Sequence, residues 1–192
     1  MHKWKRARTL SGIRYRSALA PHEAALLINL GEAMIGLLDN RESTAPVDEL
    51  EAITGITTGH SEPPSDPTLS RLLPDFFRIP DGSNEVEELT SFNAAMRNLH
   101  EHEIIDAKRA AAQTMLDTLP VQGGRLELTE ESANAWVAAV NDLRLTLGVL
   151  LEIGPAGPTR LPEDHPNAPH YDVYQWLTVL QEYLVLALMG TR

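Results

Sequence analysis

The chain of 192 residues is long enough for one medium-sized domain with a sizeable core, and its composition, 43% hydrophobic and 22% charged, is typical of a globular protein rather than a disordered one. It contains no cysteine, which excludes disulfides, thiol nucleophiles and thiol redox switches, and it contains no apolar run long enough to span a membrane. We therefore expect a cytoplasmic protein with a single domain over residues 1–192, whose formal net charge of −11 disfavours binding of a polyanion over the whole surface.

The N-terminal segment differs in charge from the rest of the chain. Residues 1–22 carry +6 and no carboxylate, so the remaining residues carry −17. Two short alternating segments flank Leu10-Ser11-Gly12 and predict a basic β-hairpin appendage over residues 1–17. Its cations are candidate phosphate contacts, although they equally suit a solvated sheet edge or contact with the acidic part of the chain: Lys3, Lys5, Arg6, Arg8, Arg14 and Arg16.

Helical spacing of apolar residues predicts the next elements. One helix begins at Pro21, which suits a first helical turn, and Glu23 favours its positive end. A short second helix begins at Pro46 and continues through Leu50 and Ile53. Asp66 is the predicted N-cap of a third, which ends before Pro74.

A long helix is predicted from about Asn84 to Leu119. We expect its first half to face the core through one apolar stripe: Leu89, Phe92, Met96 and Leu99. A second stripe follows: Ile105, Ala112, Leu116 and Leu119. Because an unbroken helix of this length is unusual, we predict a bend between His100 and Glu103.

The C-terminal half predicts a strand and two helices. Leu126 and Leu128 alternate with polar residues, which indicates a third strand, and Thr129 then caps a helix. The apolar stripe of that helix is regular: Ala133, Trp136, Val140, Leu143, Leu147 and Leu150. A proline-rich loop over residues 155–170 precedes a last helix from Tyr171 to Met189, which is apolar on several sides and is therefore either central or an interface in a symmetric homodimer.

These elements predict a mainly α fold. The architecture is a helical bundle of about six helices with a small N-terminal β-hairpin, which the third strand would extend to a three-stranded sheet.

No motif commits the chain to a chemistry. On a helix His100 and His102 point apart, and although His102 and Asp106 lie on one side, no HExxH or comparable motif supplies further metal ligands. The chain also has no Gly-x-Ser-x-Gly motif and no glycine-rich phosphate loop. We therefore expect no catalytic, cofactor-binding or metal-binding residues, and an unrecognised enzyme is only the third hypothesis.

Asn141, Arg144 and Gly148 lie on one strip beside the apolar stripe of the predicted helix after Thr129. A half-buried arginine requires a carboxylate or carbonyl partner, so we interpret Arg144 as a clamp between helices, with a recognition site as the alternative. Gly148 costs about 1 kcal/mol of helix stability relative to alanine, and close approach of another helix would offset that cost.

The segment Asn141 to Gly148, preceded by Trp136, resembles the signature of an actinobacterial family of unknown function that includes AosR-like oxidative-stress regulators. Two further blocks resemble the same family: Asp66-Pro67 with Arg71 to Pro74, and Val173 to Glu182. The candidate signature or interaction residues are therefore Trp136, Asn141, Asp142, Arg144, Gly148, Tyr174, Trp176, Gln181 and Glu182.

The resemblance implies a cytoplasmic protein that regulates transcription through protein partners or DNA. Genes of this family tend to lie beside that of the ClpS adaptor, which suggests partners in regulatory or ClpS-linked machinery. This chain departs from a thiol-based mechanism because it has no cysteine. Our first hypothesis is a non-catalytic regulatory or adaptor protein that acts through protein–protein contacts, without a cofactor or membrane. The alternative is weak, salt-sensitive DNA binding through the basic hairpin.

Overall fold

The structure, a computed structural model, describes residues 3–10, 12–46, 58–80, 82, 84–162 and 164–190. These residues form three strands: β1 (Lys5–Thr9), β2 (Gly12–Leu19) and β3 (Gly124–Leu128). They also form five helices: α1 (Pro21–Ser43), α2 (Pro67–Leu72), α3 (Val86–Thr118), α4 (Glu130–Leu150) and α5 (Ala168–Met189).

The fold is mainly helical, as predicted, but the described residues contain five helices rather than about six. The predicted short helix through Leu50 and Ile53 lies outside the described residues. The last helix begins at Ala168 rather than Tyr171, because Pro169 fits its first turn.

The three strands form one antiparallel sheet in the order β1-β2-β3, which confirms the predicted third strand. In its register Lys5 lies opposite Arg16, and Arg16 lies opposite Glu127. Residues that lie directly opposite each other share a face of a sheet. Across β2 and β3 the inner face therefore carries the buried residues Tyr15, Leu19, Leu126 and Leu128, whereas Arg6 and Arg8 on the same side of β1 are exposed.

Side-chain caps fix the starts of three helices. The backbone N–H of Ala20 donates to Glu23 Oε2 at 2.8 Å, which anchors the first turn of α1. Leu69 N–H donates to Asp66 Oδ1 at 2.8 Å before α2, and Ser132 N–H donates to Thr129 Oγ1 at 3.1 Å before α4. The predicted N-caps Asp66 and Thr129 are therefore confirmed.

The described residues divide into two compact units. The first comprises those of Met1–Ile35 and Lys108–Arg192. In it the sheet, α4 and α5 pack around Trp136, which is fully buried and meets Trp4 edge to face with ring centroids 5.8 Å apart. The predicted α4 stripe is buried except for Leu150, which is 48% exposed.

The second unit comprises the described residues of Gly36–Ala107. Its buried apolar residues come from α1, α2 and α3 and from Leu73 directly after α2, and they include Leu38, Leu72 and Ile105. The prediction of a single domain over residues 1–192 stays a prediction. None of the described helices is both long and apolar enough to cross a membrane.

The first half of α3 buries a different face from the predicted one, and Leu89 and Met96 of the predicted stripe are only half-buried. Phe92 and Leu99 of the expected core stripe are 49% and 45% exposed, whereas Asn93, Arg97 and Glu101 are buried. The helix also continues without a break through His100 to Glu103, where we expected a bend. The sequence between these residues contains neither proline nor glycine, the usual causes of a kink.

Candidate interaction surfaces

Two tryptophans of the family signature are tied into the first unit by their indole N–H groups. Trp136 Nε1 donates to Thr118 Oγ1 at 2.8 Å, which joins α4 to the end of α3. Trp176 Nε1 donates to Glu23 Oε1 at 3.1 Å, which joins α5 to the start of α1. Indole N–H groups inside a protein usually donate to such an acceptor, so packing accounts for both residues.

Arg144 lies half-buried between α4 and α5, and its described partners are uncharged. Its Nε donates to Thr178 Oγ1 at 3.0 Å and its Nη1 donates to Gln181 Oε1, while its guanidinium lies 5.3 Å from the ring centroid of Tyr174. Gln181 Nε2 in turn donates to the carbonyl oxygen of Val137 at 3.0 Å on α4. The amide carbonyl oxygen of Gln181 is therefore the carbonyl partner that the sequence led us to expect, and the hydroxyl of Thr178 is a second acceptor.

Arg144→Ala is expected to lower the free energy of unfolding by about 1–3 kcal/mol, because the hydrogen bonds that join α4 to α5 are lost. Thermal and urea denaturation measure the change. The control is Glu182→Ala, an exposed residue beside Gln181, which should change stability by less than about 0.5 kcal/mol. Unchanged stability of Arg144→Ala together with loss of partner binding would instead assign Arg144 to a recognition site.

Asp142 is almost fully buried on α4, and Lys108 Nζ donates to its Oδ1 at 2.8 Å from α3. Burial raises the pKa of Asp142 above its ordinary value of 3.8, and the bond to Lys108 opposes only part of that rise. The pair therefore orients α4 against the end of α3 at an electrostatic cost.

The raised pKa predicts a pH dependence. Relative to Asp142→Asn, the free energy of unfolding of the natural chain should fall as the pH rises from 3.8 through the raised pKa of Asp142. Within that window the folded chain holds a proton that the unfolded chain has lost, so raising the pH favours unfolding; below 3.8 the stabilising contribution is fully present. Urea denaturation of both proteins from about pH 3.5 to 6 measures the two free energies of unfolding. A natural chain that gains stability relative to Asp142→Asn as the pH rises would contradict the assignment.

Gly148, Asn141 and Glu182 complete the signature. A Cβ atom built on Gly148 has no atom within 4 Å, so the predicted close approach of another helix at this glycine is wrong. Asn141 is half-buried and Glu182 is exposed. The structure therefore brings Arg144, Tyr174 and Gln181 together and leaves Gly148 and Glu182 outside that cluster.

The six N-terminal cations are distributed over different places. Lys5, Arg14 and Arg16 lie on the outer face of the sheet, and the register adds Arg125 of β3 to the same face. Glu127 pairs with both Arg14, at 3.8 Å, and Arg16. These five residues define the basic sheet face.

The other cations lie elsewhere. Lys3 Nζ lies 5.3 Å from the ring centroid of Tyr183, and the guanidinium of Arg6 lies beside Gly190 at the C-terminal end of α5, where the helix dipole favours a cation. Arg8 is exposed in β1, on the other side of the strand from Lys5.

The second unit contains a buried polar network that the sequence did not reveal. Asn93, Arg97 and Glu101 follow each other at four-residue spacing on α3 and are 5%, 2% and 2% exposed. We call these three residues the polar seam. Glu101 lies between two guanidinium groups, accepting from Arg97 Nη1 and from Arg41 Nε at 2.8 Å. Arg97 also donates to the carbonyl oxygen of Leu73 at 3.1 Å. The polar groups of the seam therefore have a backbone carbonyl as a partner in addition to their ion pairs.

Beside the polar seam lies an exposed apolar surface. The rings of Phe77 and Phe92 are tilted against each other with centroids 4.9 Å apart, and both are more than 40% exposed. They line a groove of about 980 Å³ together with Leu89 and three carboxylates, Glu85, Glu87 and Glu88. We call this set, with the neighbouring half-exposed Val86, the acidic aromatic surface. The sequence predicted that Phe92 belongs to a core stripe, and its exposure shows that this prediction is wrong.

No group of three or more histidine, aspartate or glutamate side chains that could hold a metal ion occurs among the described residues.

A family model described as Domain of unknown function (DUF2017) matches residues 1–188. The chain is 67% identical to the proteins named "Oxidative stress regulator AosR" of Mycobacterium bovis and Mycobacterium tuberculosis H37Rv, and the alignment covers all of this chain and 90% of each relative. It is 61% identical, with the same coverage, to the "Putative oxidative stress regulator AosR" of Mycobacterium leprae. No solved structure matches the chain significantly. The family resemblance predicted from the sequence is thereby confirmed.

Proposed function

We propose that this chain, which belongs to the DUF2017 family, is a non-catalytic cytoplasmic regulatory protein that acts by binding another protein through the acidic aromatic surface. The names of its relatives support a role in the regulation of oxidative stress responses. The observation that carries the mode of action is the exposed, mutually packed pair Phe77 and Phe92. Exposed aromatic clusters of this kind are typical of protein interfaces.

The absence of cysteine in this chain assigns the chemistry of oxidant sensing to a different molecule or a different side chain. In the proposal, the chain transmits a stress signal by forming or releasing a protein complex rather than by forming a disulfide.

The test is affinity capture in cells of the natural host under oxidative stress, with the full chain and two variants. Phe92→Ser removes an exposed ring of the acidic aromatic surface, and Leu10→Ser removes a still more exposed apolar side chain from the hairpin in the first unit. We expect a protein that is captured by the natural chain and by Leu10→Ser but not by Phe92→Ser. Identical sets of captured proteins for all three would refute this surface as the binding site.

The second candidate function is weak nucleic-acid binding by the basic sheet face. The specific observation is that Lys5, Arg14, Arg16 and Arg125 share one face with only Glu127 as a carboxylate among the residues of the three strands. Four phosphate contacts give an affinity that falls steeply with salt concentration. Fluorescence anisotropy with duplex DNA should show binding that Arg16→Ala with Arg125→Ala abolishes. Tight binding that survives both substitutions would rule out this face.

A further inference from the structure

The acidic aromatic surface is held in place by the polar seam. The side-chain amide of Asn93 forms two hydrogen bonds with the backbone of one residue: Phe77 N–H donates to Asn93 Oδ1 at 2.8 Å, and Asn93 Nδ2 donates to the carbonyl oxygen of Phe77 at 2.9 Å. Such a pair of bonds fixes both the position and the orientation of the Phe77 backbone on α3. Phe77 is an exposed aromatic residue in a loop, but its backbone is fixed to a helix by these two bonds.

Arg97 fixes the loop before Phe77 in the same way. It is buried and donates to the carbonyl oxygen of Leu73 and, at 2.9 Å, to Asp75 Oδ1. Glu101 compensates its charge. Buried ionic networks rarely add net stability over an apolar core, but they do specify one arrangement of the chain. All three residues of the polar seam therefore position residues 73–77, the segment that presents Phe77.

The groove beside Phe77 is apolar at its centre and negative at its rim. Phe77, Leu89 and Phe92 provide the apolar lining, and Glu85, Glu87 and Glu88 provide the carboxylates. Among the described residues, no lysine or arginine lines the groove. The position of Glu87 and Glu88 in the first turn of α3 accounts for their stabilising effect on the helix. It does not account for the apolar side chains exposed next to them.

We propose that the acidic aromatic surface binds an amphipathic helix whose apolar face carries leucine-like side chains and whose flanks carry lysine or arginine. The apolar centre matches the apolar face, and the carboxylates match the basic flanks. A helix is favoured over an added strand because the described residues of the second unit form no strand and therefore offer no strand edge for pairing. Phe77 and Phe92 are the anchoring residues, and Asn93 is a positioning residue that acts through the backbone of Phe77.

This inference rests on the proposed function, and a defined probe tests it separately. The probe is a fluorescent peptide of about five helical turns, with leucine on one face and lysine on the flanks. A control peptide carries the same leucines with glutamate in place of lysine. Anisotropy titrations use the full chain, Phe92→Ser, Leu10→Ser and Asn93→Ala, and circular dichroism melts establish that each variant is folded.

We expect the lysine peptide to bind the natural chain and Leu10→Ser equally, and to bind Phe92→Ser at least tenfold more weakly. Asn93→Ala should weaken binding although its side chain is buried away from the peptide, because the Phe77 backbone is released. If Asn93→Ala proves unstable, Phe77→Ser supplies the second surface variant, with the same tenfold loss expected. Raising the salt concentration should weaken binding.

Equal binding of the two peptides, or binding that Phe92→Ser leaves unchanged, would overturn the proposal. So would a dimer of the natural chain that Phe92→Ser dissociates in sedimentation experiments, because the occupant would then be a second copy. Failure of the peptide while a cellular protein still depends on Phe92 would refute the partner chemistry and leave the proposed function standing. Peptide binding without any such cellular protein would refute the proposed function instead.

Discussion

Glu101→Ala is expected to lower the free energy of unfolding by about 3–5 kcal/mol, the usual cost of removing one partner from a buried ionic network. Glu101 is the carboxylate that both Arg41 and Arg97 contact in the second unit. Its removal leaves the guanidinium of Arg97, which is 2% exposed, without a buried counter-charge. Urea denaturation followed by circular dichroism measures the loss.

Glu103→Ala is the matched control, because it removes the same side chain two residues further along α3. The side chain of Glu103 is 66% exposed and pairs with His100 across one helical turn, at 3.1 Å. Exposed pairs of this kind contribute little, so the control should change stability by less than about 0.5 kcal/mol. Comparable losses in the two variants would mean that Glu101 is not the electrostatic centre of the polar seam.

Local chemistry made much of the fold predictable. The caps Asp66 and Thr129 act on backbone N–H groups three residues away, so their sequence pattern is sufficient to identify them. The buried stripe of α4 and the alternation of β3 are likewise local, since each reflects the period of its own element.

The orientation of α3 could not be predicted in the same way. Hydrophobic periodicity alone predicts that the apolar face of a helix is buried. In α3 this rule would bury Phe92 and Leu99 and expose Asn93, Arg97 and Glu101. The observed arrangement, in which Asn93, Arg97 and Glu101 are buried, depends on partners far away in the sequence. Arg41 lies 60 residues before Glu101, and the Leu73 carbonyl lies 24 residues before Arg97.

The candidate surfaces were hidden for the same reason. Arg125 joins Lys5 and Arg16 only through the register of three strands, which composition does not specify. The spacing of Phe92 from the other apolar residues of α3 is the same whether that helix face is buried or exposed, so the spacing does not reveal an exposed surface. The signature residues, in contrast, could be identified from the sequence. Three of them, Trp136, Arg144 and Trp176, form hydrogen bonds between elements of the first unit.

Gly123→Ala is expected to destabilise the first unit by about 2–4 kcal/mol, through backbone strain and overpacking together. Gly123 has a φ of +71°, a conformation that side chains disfavour. A Cβ atom there would lie 2.7 Å from Pro21 N, 2.8 Å from the Ala20 carbonyl carbon and 2.9 Å from the Leu19 carbonyl oxygen. All three are backbone atoms at the junction of β2 and α1, so they cannot rotate away as a side chain would. Thermal and urea denaturation measure the loss.

Gly148→Ala makes the same chemical change where neither obstacle exists, and it should stabilise the protein by about 1 kcal/mol or slightly less. Gly148 lies within α4, and a Cβ atom there meets no atom within 4 Å, so the gain in helix propensity is unopposed. The two substitutions are expected to change the free energy of unfolding in opposite directions. This difference separates the effects of steric overlap and backbone conformation from any general effect of adding a methyl group. A loss of stability in Gly148→Ala would support the close helix approach that we predicted from the sequence. Unchanged stability in Gly123→Ala would mean that the junction of β2 and α1 moves to accommodate the side chain.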